Sequence, residues 1–146
     1  MASNAEDAFE AIKANIGRSK GSTDWFELTQ HVTDEFARVT GDPESTFLTM
    51  ALLSHFNLSL AGGDAAVPEF GNVVAGINYG FDSVRFVCPV KVDARLRAHS
   101  VIKDVARKGD AVDEINTITV EIEGGDEPAL VADWIIRTVF RPKEQG

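Results

Sequence analysis

The sequence predicts an α+β fold in which an antiparallel sheet wraps around one central helix. The first observation is a segment at 45–56 whose apolar stripe is too wide for a helix on the surface. The second is an alternation of apolar and polar residues with period two, which runs through most of 72–141. The third is a pair of turn signals at 107–110 and 123–128, which divide this region into strands. One apolar helix followed by long strands predicts a single core between them.

Residues 1–20 are interpreted as an N-terminal helix and a linker. The acids Glu6 and Asp7 lie near the positive end of this helix, and Gly17 is expected to end it. The helix presents three apolar residues at helical spacing, which are Phe9, Ile12 and Ile16. One face of this helix is therefore expected to pack against the rest of the chain.

A short strand and a second helix are predicted between 25 and 41. The strand candidate is WFELT, residues 25–29, and Thr29 at its end can cap the helix that follows. Gly41 is predicted to end that helix, since glycine readily takes the left-handed conformation found there. The apolar face of the helix consists of Val32, Phe36 and Val39.

Ser45 is predicted to cap the central helix, which is expected to run as one segment from about 46 to 60. Burial of its large apolar side chains would contribute about 1.5–3 kcal/mol each, so this helix is expected to organise the core. These side chains are Phe47, Met50, Leu52, Leu53 and Phe56. The next segment, residues 61–72, is rich in Gly and Ala and is interpreted as a mobile surface loop.

The strands after the loop are predicted to form an antiparallel meander. One strand alternates Ile118, Val120 and Ile122 with polar residues. A long last strand has one face made of Leu130, Ala132, Trp134, Ile136, Thr138 and Phe140. A curved sheet of this kind exposes the backbone of its edge strands, and pairing across a two-fold axis would cover it. A homodimer is therefore expected.

Length and charge restrict the kinds of partner. With 146 residues the chain is expected to be one domain, 1–146, that buries its own core. The net charge is −9, from 14 Lys and Arg against 23 Asp and Glu, so the chain repels nucleic-acid phosphates and anionic lipid. Neither nucleic acid nor a membrane is expected as a partner.

The compartment is inferred from cysteine use and from the N-terminal composition. Cys88 is the only cysteine, which excludes an intramolecular disulfide and leaves no group of thiol ligands for a metal. The first ten residues lack the basic and apolar regions of a signal peptide, and no stretch of 18 apolar residues is present. A cytoplasmic protein without a metal site is the expectation.

Three segments, in this order along the chain, resemble the MaoC-like dehydratases, a family of hotdog-fold proteins that includes the (R)-specific enoyl-CoA hydratases. WFELTQHVTDEFARVTGD, residues 25–42, is similar to the family's first strand, helix and Gly-Asp turn. FLTMALLSHF, residues 47–56, is similar to the start of its central helix. NYGFDSVRFVCPVKVDARLRA, residues 78–98, resembles its strand region. The resemblance implies a hotdog fold.

The resemblance also implies an activity. The family's hydratases add water across the double bond of a 2-enoyl thioester on coenzyme A, which is a substrate, and they need no other cofactor. An aspartate in the Gly-Asp turn and a histidine five residues later hold and activate the water. A backbone amide beside a His-Gly pair at the start of the central helix binds the thioester oxygen. Water is a poor nucleophile, so the aspartate and histidine are needed to activate it. Negative charge builds on the carbonyl, so the backbone amide is needed to stabilise it.

Only part of this catalytic pattern is present in the chain. The family's aspartate corresponds to Asp42, but Phe47 occupies the position five residues later, and Ser45-Thr46 replaces His-Gly. A segment between the aspartate and the central helix, with the histidine in it, is therefore absent. Glu44 could pair with Asp42 as a second carboxylate, or it could simply place a favourable charge at the helix N-terminus. The histidines at other positions, expected to be ordinary packed or solvated residues, are His31, His55 and His99.

Four further residues are predicted to contact a substrate. Asn78 and Tyr79 belong to the strand that borders the substrate tunnel in the family, and Tyr79 could equally be a sheet tyrosine with a buried hydrogen-bond partner. Arg95 and Arg97 are the favoured contacts for the phosphates of coenzyme A, together with Lys103, although a solvated strand face is the alternative.

Two functions of different kinds remain open. The first is a MaoC-like hydratase whose catalysis is impaired by the missing histidine. The second is a non-catalytic hotdog dimer that binds acyl thioesters or serves a structural role. A thioesterase on the same scaffold would need an acid/base site of its own, and the sequence offers none. The fold alone does not decide between them.

Overall fold

The computed structural model describes residues 4–142, which form four helices and seven strands. The helices are α1 (Ala5–Lys13), α2 (Gln30–Thr40), α3 (Ser45–Ala51) and α4 (Leu53–Leu58). The strands are β1 (Ser19–Ser22), β2 (Phe26–Glu27), β3 (Ala61–Gly62), β4 (Val73–Phe86), β5 (Arg95–Lys108), β6 (Ala111–Ile122) and β7 (Leu130–Phe140). The ends of the predicted domain, residues 1–3 and 143–146, lie outside the described residues.

All strands belong to one antiparallel sheet with the order β3-β1-β5-β6-β7-β4, and β2 pairs with β5 beside this path. The predicted α+β class is therefore confirmed. Strands β5, β6 and β7 form the predicted meander, joined by the two turns that the sequence signalled. Strand β4 crosses to the far side of the meander and pairs with β7, rather than with its chain neighbour β5.

The inner face of the sheet packs against helices through two apolar clusters. The main cluster joins α3 and α4 to the strands and has at its centre Leu48, Leu53, Phe56, Leu96, Ile118, Val120, Leu130 and Trp134. The second cluster packs α1 on the same sheet and contains Ala5, Ala8, Ile12, Ile102, Val105, Val112 and Phe140. An N-terminal helix is present as predicted, with Asn4 accepting backbone hydrogen bonds as its cap, but it ends at Lys13 rather than at Gly17, and Ile16 is exposed.

The central helix differs from the prediction. It is divided at Leu52, where ψ is −7°, into α3 and α4, although helical hydrogen bonds continue from Leu52 to Leu48 and from Phe56 to Leu52. Its N-cap is Glu44, and the Ser45 hydroxyl instead donates to the carbonyl oxygen of Val90 over 2.6 Å. None of the helices in residues 4–142 is long and apolar enough to cross a membrane.

The segment interpreted as a mobile surface loop has a defined path against α1 and β1. The Asn15 side chain accepts from Ala66 N over 2.8 Å, and Ser19 N donates to the Asp64 carboxylate over 2.8 Å. Phe70 meets Phe140 edge to face, with ring centroids 6.1 Å apart. These contacts make residues 61–72 a cover over the second cluster.

Candidate functional site

Asp42 lies in the turn that joins α2 to the central helix. Thr29 caps α2, and Gly41 ends it in the left-handed conformation with φ of 76°, as the sequence predicts. Beyond that glycine, Asp42 Oδ1 accepts a hydrogen bond from Glu44 N over 2.9 Å, while Asp42 N donates to Thr40 Oγ1 over 3.1 Å. One carboxylate oxygen of Asp42 therefore stabilises the turn, which is a common role of aspartate.

Two clefts open beside this turn, at the start of α3. The larger has a volume of about 390 Å³ and the smaller about 80 Å³, and both are bordered by Thr46, Pro89 and Val90. Glu44 and Ser45 line the larger cleft, whereas Cys88 and Thr49 line the smaller one. The clefts offer hydroxyl groups and a thiol beside apolar walls, so they could hold a small polar group with an apolar tail.

Among residues 4–142, no histidine forms a hydrogen bond with Asp42. Phe47, five residues after Asp42, is 54% exposed and lies edge to face with Phe86 at 5.8 Å between ring centroids. His31 belongs to the first turn of α2, at the end of that helix opposite to Asp42. His55 in α4 is exposed and contacts the ring of Phe26 at 5.2 Å between centroids. The described residues therefore place no imidazole in hydrogen-bond contact with the aspartate.

Asn78 and Tyr79 lie together on β4 but face different surroundings. Asn78 pairs with Ile136, whose side chain packs against the main cluster, so it lies on the inner face. Tyr79 is the extra residue of a bulge between Asn78 and Gly80, and the guanidinium carbon of Arg137 lies 3.7 Å from its ring centroid on the outer face. The bulge thus separates two residues that the sequence grouped in one substrate tunnel.

Arg95 and Arg97 lie on the outer face of β5, and each is already paired. Arg95 bonds Glu123 over 2.9 Å and Arg97 bonds Glu121, both at the end of the β5–β6 pair that is opposite to the β5–β6 turn. The Arg95 and Arg97 guanidinium groups also lie 5.9 and 4.4 Å from the ring centroid of Trp25. Strands β6 and β7 separate them from β4, a distance of about 14 Å at the usual strand spacing. The arginines and Tyr79 are therefore not in contact with one another, and their predicted role in substrate binding stays a prediction.

The outer face holds two charged clusters that the sequence did not single out. Asp113, 4% exposed, receives two hydrogen bonds from Arg137 at 2.7 and 2.9 Å, and chiefly for this reason its pKa is lowered. Asp133 accepts from Lys103, Thr117 and Ser83, and the Lys103 hydrogen bond is the main reason that its pKa is lowered. The feature of the sequence that could have predicted these clusters is the presence of opposite charges at outward positions of neighbouring strands.

These clusters cross the sheet and serve to join its strands. Lys103, Thr117, Asp133 and Ser83 come from β5, β6, β7 and β4 in turn. Asp113 and Arg137 likewise join β6 to β7, and Tyr79 adds β4. In residues 4–142 no three His, Cys, Asp or Glu side chains lie close enough together to hold a metal ion.

The amino-acid sequence has two groups of named relatives. Nodulation protein N from Rhizobium meliloti (strain 1021) is 31% identical over 161 residues, covering 96% of this chain and 96% of the relative. The 3-hydroxyacyl-thioester dehydratase Z from Mycobacterium tuberculosis (strain H37Rv) is 34% identical over 141 residues, covering 88% and 93%. The first alignment is longer than the 146 residues of this chain, so nodulation protein N carries residues without a counterpart here.

The fold also has a solved counterpart. The crystal structure of a MaoC-like dehydratase from Rhodospirillum rubrum matches with a TM-score of 0.64 at 12% identity, over 88% of this chain and 94% of that one. No protein-family model matches the sequence. The two groups of relatives, which span most of both chains, and the shared hotdog fold show that the chain belongs to the MaoC-like dehydratase family.

Proposed function

We propose that this chain is an enoyl-CoA hydratase/dehydratase-type protein that binds acyl thioesters and hydrates them weakly. The first part rests on its relation to a protein named 3-hydroxyacyl-thioester dehydratase Z. The second rests on one observation, that an exposed Phe47 rather than a histidine stands five residues after Asp42.

The loss of activity follows from the groups that are missing. A positioned general acid or base contributes roughly 10²–10⁴-fold to a rate, and an oxyanion donor about 10²–10³-fold. Asp42 keeps a carboxylate, but one of its oxygens accepts from Glu44 N, and no histidine in the described part of the chain is hydrogen-bonded to it. Hydration is therefore expected to fall by several orders of magnitude, while binding of the thioester depends on other contacts.

The acyl thioester is expected to enter at the clefts beside Thr46, with its acyl chain along the inner face of β4. Phe47 and Phe86 form an exposed apolar surface there, and Asn78 lies on the same face. Tyr79, on the outer face, is the less favourable contact. The phosphates of coenzyme A would have to compete with Glu121 and Glu123 for Arg97 and Arg95, which makes these arginines weak contacts.

A homodimer in the cytoplasm is part of this proposal. Strand β4 is paired only on the β7 side within residues 4–142, and it exposes apolar side chains on both faces. The exposed apolar residues of β4 are Val73, Val74, Ile77, Tyr79, Phe81 and Phe86. Pairing of two β4 strands across a two-fold axis would cover them. The cytoplasmic location rests on the single cysteine, which fits a reducing compartment.

The proposal is tested by measuring hydration and binding separately. The absorbance of short- and medium-chain trans-2-enoyl-CoA is followed on adding protein, and acyl-CoA binding is measured by calorimetry. Asp42→Asn is compared with Asp126→Asn, a matched change in the exposed turn between β6 and β7. We expect measurable binding and weak hydration that Asp42→Asn reduces and Asp126→Asn does not.

The other outcomes decide against parts of the proposal. Rapid hydration by the unaltered protein would show that another group replaces the histidine. Binding with no hydration in any variant would favour the alternative function, a non-catalytic hotdog dimer for acyl thioesters. That alternative is supported by the use of the Asp42 carboxylate in its turn. Absence of both binding and hydration would overturn both functions and leave a structural role.

A further inference from the structure

A separate cavity of about 210 Å³ lies on the inner face of the sheet, between the two apolar clusters. Helix α1 contributes Ile12, the covering segment 61–72 contributes Phe70, and the sheet contributes Ile136 and Phe140. None of its lining residues borders the clefts at the start of α3. The cavity is therefore distinct from the site of the proposed function, and its role does not rest on that function.

Polar groups from four elements meet at this cavity, namely Lys20 of β1, Asn57 of α4, Glu114 of β6 and Thr138 of β7. Glu114 Oε2 accepts from Lys20 Nζ over 2.8 Å and from Asn116 Nδ2 over 2.7 Å. Among residues 4–142, the second carboxylate oxygen of Glu114, the Asn57 amide and the Thr138 hydroxyl form no hydrogen bond. Hydrogen-bonding capacity is thus available in a cavity whose other walls are apolar.

The packing of the sheet gives no reason for these polar groups. The inward positions of β6 before Glu114 and after Asn116 hold Val112 and Ile118, and a lysine–glutamate pair at such a place is rarely more stabilising than apolar residues of similar size. Asn116, 1% exposed, donates to Glu114 and leaves its Oδ1 without a partner among the described residues, but it does not line the cavity. The hydrogen-bonding groups that do line the cavity lower stability unless water or a ligand pairs with them.

We propose that this cavity binds a small neutral amphiphile, with a ring or short chain between Ile12 and Phe70 and a hydroxyl group at Glu114 and Thr138. The cavity is smaller than the roughly 300–1,000 Å³ of pockets for drug-sized ligands, so the ligand has the size of an aryl alcohol. Lys20 and Glu114 already neutralise each other, and a charged ligand would bury a charge without a counter-ion.

The proposal is tested with four probes of one shape and different polarity. Benzyl alcohol, toluene, benzoate and benzylammonium are titrated into the full chain, and amide chemical shifts are followed by NMR. We expect benzyl alcohol to shift residues around Ile12, Phe70 and Thr138, and to bind at least tenfold more tightly than the other three probes. Equal binding of toluene would overturn the role of the polar groups in the cavity, and tighter binding of either ion would overturn the proposal that the ligand is neutral.

Two matched variants locate the hydroxyl contact. Thr138→Val removes the inward hydroxyl with little change of shape, and Thr119→Val makes the same change on the outer face of β6. We expect Thr138→Val to weaken benzyl alcohol at least threefold and toluene not at all, and Thr119→Val to change neither. Equal effects of the two variants, or no shifts at the cavity with any probe up to its solubility limit, would overturn the proposal.

Discussion

Strands β4 and β5 have the same length, 14 residues each, but very different surroundings. Strand β5 lies between β1 and β6, and its inward residues Leu96, Ala98 and Ile102 are fully buried. Strand β4 lies at the edge beside β7, and none of its residues is buried. The two strands thus differ in neighbours rather than in length.

From composition alone, β4 would be expected to be the more buried of the two strands. Strand β4 reads VVAGINYGFDSVRF and carries more large apolar side chains than β5, which reads RLRAHSVIKDVARK. The helices α3 and α4 cover the inner face of β5, β6 and β7 and leave that of β4 largely open. An apolar edge strand that stays uncovered is a site for pairing with another chain, which is the physical basis of the proposed dimer.

The attachment of β4 to its own chain is also of a different kind. Besides its backbone pairing with β7, it is held on the outer face by polar contacts, with Tyr79 against Arg137 and Ser83 bonded to Asp133 over 3.4 Å. Strand β5 also forms ion pairs on its outer face, but in contrast to β4 its inward residues Leu96 and Ala98 are fully buried in the main cluster. The stability of the β4 attachment should therefore depend on charge and pH, whereas that of β5 should depend more on the volume of its buried side chains.

The largest effect is expected from truncation of a core residue, compared with its partner on β4. Leu130 is fully buried and pairs across strands with Phe86, which is 40% exposed. Leu130→Ala should lower the free energy of unfolding by about 2–5 kcal/mol, because it leaves a cavity in the main cluster. Phe86→Ala should cost clearly less, although a larger side chain is removed, because this side chain is only partly buried.

Chemical denaturation of both variants at low protein concentration measures this difference. Equal losses for Leu130→Ala and Phe86→Ala would mean that β4 is as well packed in solution as the centre of the sheet, which would break the comparison. Because a dimer would add to the burial of Phe86, the measurement is repeated over a range of protein concentrations.

The contrast between β4 and β5 also shows which parts of the fold could be predicted from the sequence. Period-two patterns and turn residues are local, so the meander of β5, β6 and β7 was predictable, as were Thr29 and Gly41 at the ends of α2. The pairing of β4 with β7 joins strands that are separated by two others in the chain. No local pattern specifies such a choice, which depends on the packing of the whole sheet.

The features of the candidate site also fall into those that the sequence could predict and those that it could not. The absence of a histidine five residues after Asp42 is a matter of spacing and was visible in the sequence. The division of the central helix at Leu52 and the bulge at Tyr79 were not, because both depend on how the elements fit together in three dimensions. The pairing of Arg95 and Arg97 with acids on β6 and in the turn after it was also hidden, since it requires the β5–β6 register.

A smaller effect is expected from the polar contacts that hold β4. Asp113→Asn should lower the free energy of unfolding at neutral pH by about 1–3 kcal/mol, because it removes the charge that Arg137 pairs with beneath Tyr79. The folded-state pKa of Asp113 lies below its unfolded value, so this contribution is present above about pH 4 and is lost as the pH falls through the folded pKa.

The measurement is urea unfolding of the unaltered protein and Asp113→Asn from pH 7 down to pH 3. Their difference should be constant down to about pH 4 and shrink below it, while other carboxylates such as Asp133 act equally in both proteins. A difference that does not change with pH would show that the Asp113 charge has no part in stability and that the variant acts only through packing.

The smallest effect on the stability of the subunit is expected from Ile77→Lys, which sharpens the comparison at the edge itself. Ile77 is 43% exposed on β4, and surface substitutions usually change the free energy of unfolding by less than about 0.5 kcal/mol. A lysine on an edge strand opposes pairing with another strand, so the variant should sediment as a monomer at concentrations where the unaltered protein is a dimer.

The control is Thr119→Lys, which adds the same charge to the outer face of the central strand β6. If both variants remain dimeric, the dimer uses another surface and the open edge of β4 needs a different explanation; if the unaltered protein is a monomer at micromolar concentration, the dimer itself is excluded.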